Sequence, residues 1–164
     1  MKIITRIFGL LAFALGFCTM SSTAALAADA MGDATYINPG EIKWGDPPPV
    51  LPKSAKIAVL SGDPFKPGPY VIRLSMPAGY KIPPHWHSQA ENLTVISGSF
   101  YLGSGDTMDK AHAHMLKPGG FHYLPAAAHH SAYTKTATVL QIHGEGPFDI
   151  TYINPADDPS KPKK

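Results

Sequence analysis

From residue 70 onward, apolar and polar positions alternate in short runs, each closed by glycine, proline, aspartate or serine. In the run 70–76, Tyr-Val-Ile-Arg-Leu-Ser-Met, Ile72, Leu74 and Met76 fall on one side. Further runs occupy 93–96, 99–102, 121–124, 137–143 and 148–152. A period of two over such lengths predicts strands with one face buried. Residues 57–60 add a short strand upstream, after a proline-rich stretch that can be neither helix nor central strand. No helical period competes, apart from one turn near residues 108–112. Short strands separated by turn residues predict an all-β barrel or sandwich.

The N-terminus reads differently. Lys2 and Arg6 precede an apolar stretch at 7–17, and Ala25-Leu26-Ala27 follows as a small-x-small site. The stretch is too short to span a bilayer. The expectation is a signal peptide at 1–27, cleaved after Ala27, and a protein exported to the periplasm or medium. Cys18 is the chain's one cysteine, and Phe17 before it argues against lipidation. The mature chain then has no disulfide.

Cleavage removes two basic residues and no acidic ones, so the formal charge falls from +2 to 0. A neutral chain with no basic run predicts no nucleic-acid partner, and after cleavage no membrane partner. The mature chain is one domain: an arm at 28–66, a barrel at 67–155 and a Pro-, Asp- and Lys-rich flexible tail at 156–164. The arm carries Trp44, read as a packing anchor, beside Gly45-Asp46-Pro47-Pro48-Pro49. It is suited to covering a sheet edge, its own or a partner's, and a homodimer is expected.

Candidate chemistry concentrates at 79–98. His85 and His87 are two apart, so on a strand both point to one face. Glu91 lies four further on, an even offset that an extended chain aims the same way. Two imidazoles and a carboxylate together make a site for a divalent transition metal. Pro83 and Pro84 keep the entry extended. His112 and His114 form a second His-x-His pair, but no acid follows it, so it reads as an exposed polar loop.

The stretch resembles the first cupin motif, with Gly79, His85, His87, Glu91 and Gly98 at its fixed positions. The stretch from Gly119 resembles the second motif: Gly119, Pro125 and His130 fall in place, while Ala127 stands for its glycine and Thr134 for its asparagine. The resemblance implies a cupin-type double-stranded β-helix, a jelly-roll barrel. It also implies a metal held by His85, His87, Glu91 and His130. The five-residue step from Pro125 selects His130 over His129, whose side chain would face the other way on a strand.

Three imidazoles and a carboxylate suit Mn, Fe, Ni, Cu or Zn, and argue against calcium. Gln141 and His143 share one strand face and Leu140 and Ile142 the other, so the first pair is a possible lining of the pocket. Arg73 reads as surface. The sequon Asn92-Leu93-Thr94 lies inside the metal motif, where a glycan would disrupt the fold. Metal cupins with such ligands include oxidases, dioxygenases and isomerases, and the fold also serves non-catalytic binders. Two classes therefore stand for this chain. One is a metal-dependent, dioxygenase-like oxidoreductase acting on a small molecule. The other is a periplasmic protein that binds a metal or small ligand.

Overall fold

The computed structural model describes residues 34–162, and the expected signal segment lies outside them. Ten strands follow one another among the described residues: β1 (Lys56–Ser61), β2 (Gly68–Met76), β3 (Lys81–Trp86), β4 (Glu91–Ser97), β5 (Phe100–Ser104), β6 (His114–Leu116), β7 (Phe121–Leu124), β8 (His130–Thr134), β9 (Thr138–Gly146) and β10 (Thr151–Tyr152). They form two five-stranded antiparallel sheets, in the orders β1-β2-β9-β4-β7 and β10-β3-β8-β5-β6. This is an all-β jelly roll.

The alternation in the sequence sets the core. Tyr70, Ile72, Leu74 and Met76 of β2 are buried, as are Leu93 and Val95 of β4 and Leu140 and Ile142 of β9. Register aligns them in rows: Leu74 opposite Leu140, and Leu140 opposite Val95. Partners across a ladder share a face, so each row is a continuous apolar band. Phe100, Leu102 and Ala132 supply the facing side from the second sheet.

The stretch that reads as an arm does two jobs. Its strand β1 pairs with β2, placing Ile57 opposite Leu74, and Gly45 bridges to Ile57 on the free side of β1. The edge it covers is therefore one of this chain's own. The prolines then run as a strap: the Tyr152 hydroxyl donates to the Val50 carbonyl at 2.7 Å, and the Tyr80 hydroxyl to the Pro52 carbonyl at 3.0 Å. On this chain's own barrel the strap's anchor is Leu51, 1% exposed, while Trp44 stays 39% exposed. Burying one leucine contributes about 1.5–3 kcal/mol.

Elsewhere the sequence pattern and the fold part company. Residues 110–112 form bends and no helical turn forms at 108–112, and His114 begins β6 instead of sitting in a loop. Only Thr151 and Tyr152 of the run 148–152 pair as a strand.

Candidate metal centre

Strand β3 contains Pro83 and Pro84, which have no N–H to give a ladder. The β3–β8 pairing jumps accordingly from Ile82 to His85, and resumes with His85 opposite His130. That places two imidazoles on adjacent strands, their ring centroids 4.0 Å apart. His87 follows one residue past the end of β3, its ring 5.0 Å from that of His85 and 5.1 Å from that of His130. The three can each offer a ring nitrogen such that all lie within 4.8 Å of one another. All three residues are buried.

Each imidazole is held from behind by the main chain. His85 Nδ1 pairs with the Pro83 carbonyl at 2.7 Å, His130 Nδ1 with the Ala128 carbonyl at 3.2 Å, and His87 Nδ1 with the Asp149 carbonyl. A carbonyl only accepts, so each Nδ1 carries the proton and each Nε2 is left with its lone pair. This is the tautomer a metal ligand needs, with the outer partner that orients it. Ser88 N–H bonds the Asp149 carboxylate at 2.8 Å, fixing the residue that holds His87. Phe148 stacks on His87 at 5.8 Å.

Electrostatics agrees with neutral donors. Burial pushes the pKa of His85 well below its ordinary value, and the neighbouring imidazoles of His130 and His87 push it further. Burial, with His87 next, lowers His130 to about 3. Neutral imidazole is the ligating form.

Glu91 reaches the site by another route than even spacing suggests. The chain leaves the second sheet after Trp86 and enters the first at Glu91, the first residue of β4. The carboxylate therefore arrives from the opposite sheet, buried, with Oε1 3.9 Å from His87 Nε2. It stands beside the three-histidine group rather than within its mutual 4.8 Å.

His129 points away and pairs with Asp106 at 2.6 Å, as its neighbour position predicts. His112 is exposed and pairs with Asp109 at 2.6 Å, and His114 is exposed too. Gln141 and His143 do not line the cavity. Leu140 and Ile142 take the inner face of β9, because they must continue the apolar rows of β2 and β4. Gln141 instead accepts a bond from Arg73 Nε at 3.2 Å on the outer face.

Four residues near the site had no flag in the sequence. Leu51 of the strap lines the cavity beside the histidines, as do Phe148 and Ile150. His122 faces inward opposite Leu93, and its Nε2 is the one buried side-chain polar atom without a partner among the described residues. Its alternation with Leu124 was the available signal. Burial lowers its pKa, against an opposing pull from Glu91. The cavity at the triad measures about 20 Å³, room for about one water.

No protein-family model matches the chain, and no curated protein does. Solved structures do. The polyketide cyclase RemF from Streptomyces resistomycificus superposes with a TM-score of 0.65 at 15% identity, over 78% of this chain and 91% of that one. An RmlC-like cupin from Ralstonia eutropha gives 0.58 at 18% identity, over 77% of this chain and 76% of that one. A candidate acetylacetone dioxygenase from Methylibium petroleiphilum gives 0.58 at 18% identity, over 77% and 85%. At these identities the likeness establishes the fold, which is that of the cupins.

Proposed function

We propose that this chain, which has the cupin fold, is an exported metal-dependent oxidoreductase, dioxygenase-like, acting on a small molecule. One observation carries the reading: three buried imidazoles, each fixed by a main-chain carbonyl in the Nδ1–H tautomer, converge with Nε2 free beside a buried carboxylate. The donor set fits a divalent transition metal such as Mn, Fe, Ni, Cu or Zn. His85, His87 and His130 would hold it, with Glu91 as the fourth ligand. A bound ion would supply an electrophilic centre for a small oxygen compound.

The chain's own groups do the rest. Leu93, Ile142, Phe148 and Ile150 exclude water around the histidines, which strengthens every charge interaction inside. The carbonyls of Pro83, Ala128 and Asp149 keep the ring protons at Nδ1 and the rings oriented. Glu91 is placed to take a proton from a substrate hydroxyl where it is not itself bound to metal.

The second reading is a non-catalytic binder of metal or small ligand. It is favoured by the cavity lining, which holds no titratable side chain beyond His85, His87, Glu91 and His130. Metal analysis of protein purified without a His-tag, followed by oxygen uptake against diols, enediols, flavonols and dicarboxylates, separates the two. About one metal per chain with uptake on one class supports the enzyme. Metal without turnover supports the binder, and protein that takes up no metal overturns the enzyme and the metal-binding form of the binder.

A further inference from the structure

The small cavity at the histidines poses a question of access. Its wall is aliphatic and aromatic apart from the ligand group. On the outside of the strap lies a groove of about 550 Å³, lined by Asp46, Pro47, Pro48, Pro49, Lys53, Pro159, Ser160 and Leu51. Among the residues lining these two spaces, Leu51 alone belongs to both. One residue, 1% exposed, thus borders both the outer groove and the cavity at the histidines.

The strap that carries it is tethered rather than woven in. Its carbonyls at Val50 and Pro52 accept from two tyrosine hydroxyls, and the Leu51 N–H closes a local turn to the Pro48 carbonyl at 2.9 Å. No residue of the strap pairs in either sheet. Such a segment opens at lower cost than a ladder strand.

The groove's chemistry limits what can use it. Four of its lining residues are prolines, its one acid, Asp46, is engaged by Lys56 at 2.7 Å, and Lys53 is its one base. We infer that the groove is the vestibule of the histidine site, that Leu51 is the partition a ligand must pass, and that the ligand is a compact, largely apolar molecule with an oxygen donor. This rests on the triad being the ligand site, and names the substrate class and the residue that sets its size.

Diethyl pyrocarbonate is itself compact and uncharged, and acylates neutral imidazole. Its reaction with each histidine of the metal-free full chain, followed by peptide mass spectrometry, reads access directly. In Leu51→Ala, acylation of His85, His87 and His130 should rise at least tenfold, while exposed His114 and His143 hold their rates. Leu51→Met, which keeps the volume, should behave as the parent. Tyr80→Phe unties the strap without hollowing the core, and should raise the triad's rates severalfold.

Unchanged triad rates in both Leu51→Ala and Tyr80→Phe would overturn the route. If Leu51→Ala opens globally, seen as faster hydrogen exchange throughout β9, Tyr80→Phe alone decides. Cobalt titration of the parent chain tests the metal reading separately. A chain that takes no cobalt yet shows these changes in acylation keeps the route and loses the metal.

Discussion

Ala127 has φ +60°, the left-handed region, at the position where the motif it resembles has glycine. The turn is held in place because Ala127 N–H donates to the His87 carbonyl at 2.9 Å, tying the second motif to the first. An L-residue there costs roughly 1–2 kcal/mol, while glycine adds about 0.5–1 kcal/mol of unfolded-state entropy. The first effect wins, so Ala127→Gly should stabilise by roughly 0.5–1 kcal/mol, read as a higher urea midpoint with unchanged slope. A midpoint that falls would show that the strain is absorbed elsewhere. The ligand map is sharper. Alanine at His85, His87 or His130 should cut metal content several-fold or more, and at His112, His114, His129 or His143 leave it at parent level, by mass spectrometry of metal per chain. Protonation adds a pH signature. The folded pKa of both His85 and His130 lies below the ordinary value of about 6.5, so the folded state resists protons that the unfolded chain accepts. Their contribution is whole above about pH 6.5 and declines as pH falls toward about 3. The urea midpoint of metal-free protein should drop between about pH 7 and about pH 5, and drop less in His130→Gln. Equal slopes would contradict the assignment.

At the scale of the strands, what could be read in advance was whatever rests on period two. Strands β2, β4 and β9 follow their alternation because both of their faces are defined, one by the core and one by water. Strand β6 has three residues and no buried one, and β10 has two, so neither carries a period to detect. The site was legible in its histidines, since a motif spacing and a strand offset both select them. It was illegible in its construction: the crossing between sheets from His87 to Glu91, and the entry of Leu51 from the arm, are tertiary facts with no local trace. Gln141 and His143 went astray because either face of β9 reads as a plausible inner one until its neighbours are known. The turn between β4 and β5 offers a test at this scale. Gly98 has φ +82°, and a Cβ there would lie 2.3 Å from the Ala137 carbonyl oxygen and 2.5 Å from Thr138 Oγ1. That hydroxyl bonds the Ser99 carbonyl at 3.1 Å, so it is not free to move aside. Gly98→Ala adds backbone strain to this overlap and should destabilise by about 2–4 kcal/mol, measured by urea unfolding. A loss under about 1 kcal/mol would mean that the hairpin shifts as a unit.

For the whole molecule, the open question is the free edge at β7. Phe121 and Tyr123 there are 55% and 56% exposed, and Ile96 beside them on the outer face of β4 is also exposed. An exposed edge with apolar side chains is a surface that proteins cover. We expect a homodimer, and a monomer mass by light scattering at micromolar concentration would exclude it. Periplasmic material should begin at Ala28 by intact mass, and protein retaining residues 1–27 would refute export. A last consequence follows from the three carbonyls behind the imidazoles. They belong to Pro83, Ala128 and Asp149, all main chain, so the rings are aligned by the barrel itself and not by the ion. Loading should then be conformationally quiet for the chain: little ordering and little change in the far-ultraviolet dichroism. The melting temperature should still climb by mass action, each tenfold excess of free metal over Kd adding about 1.4 kcal/mol. The barrel spends in folding the entropy that a loose site would lose on binding.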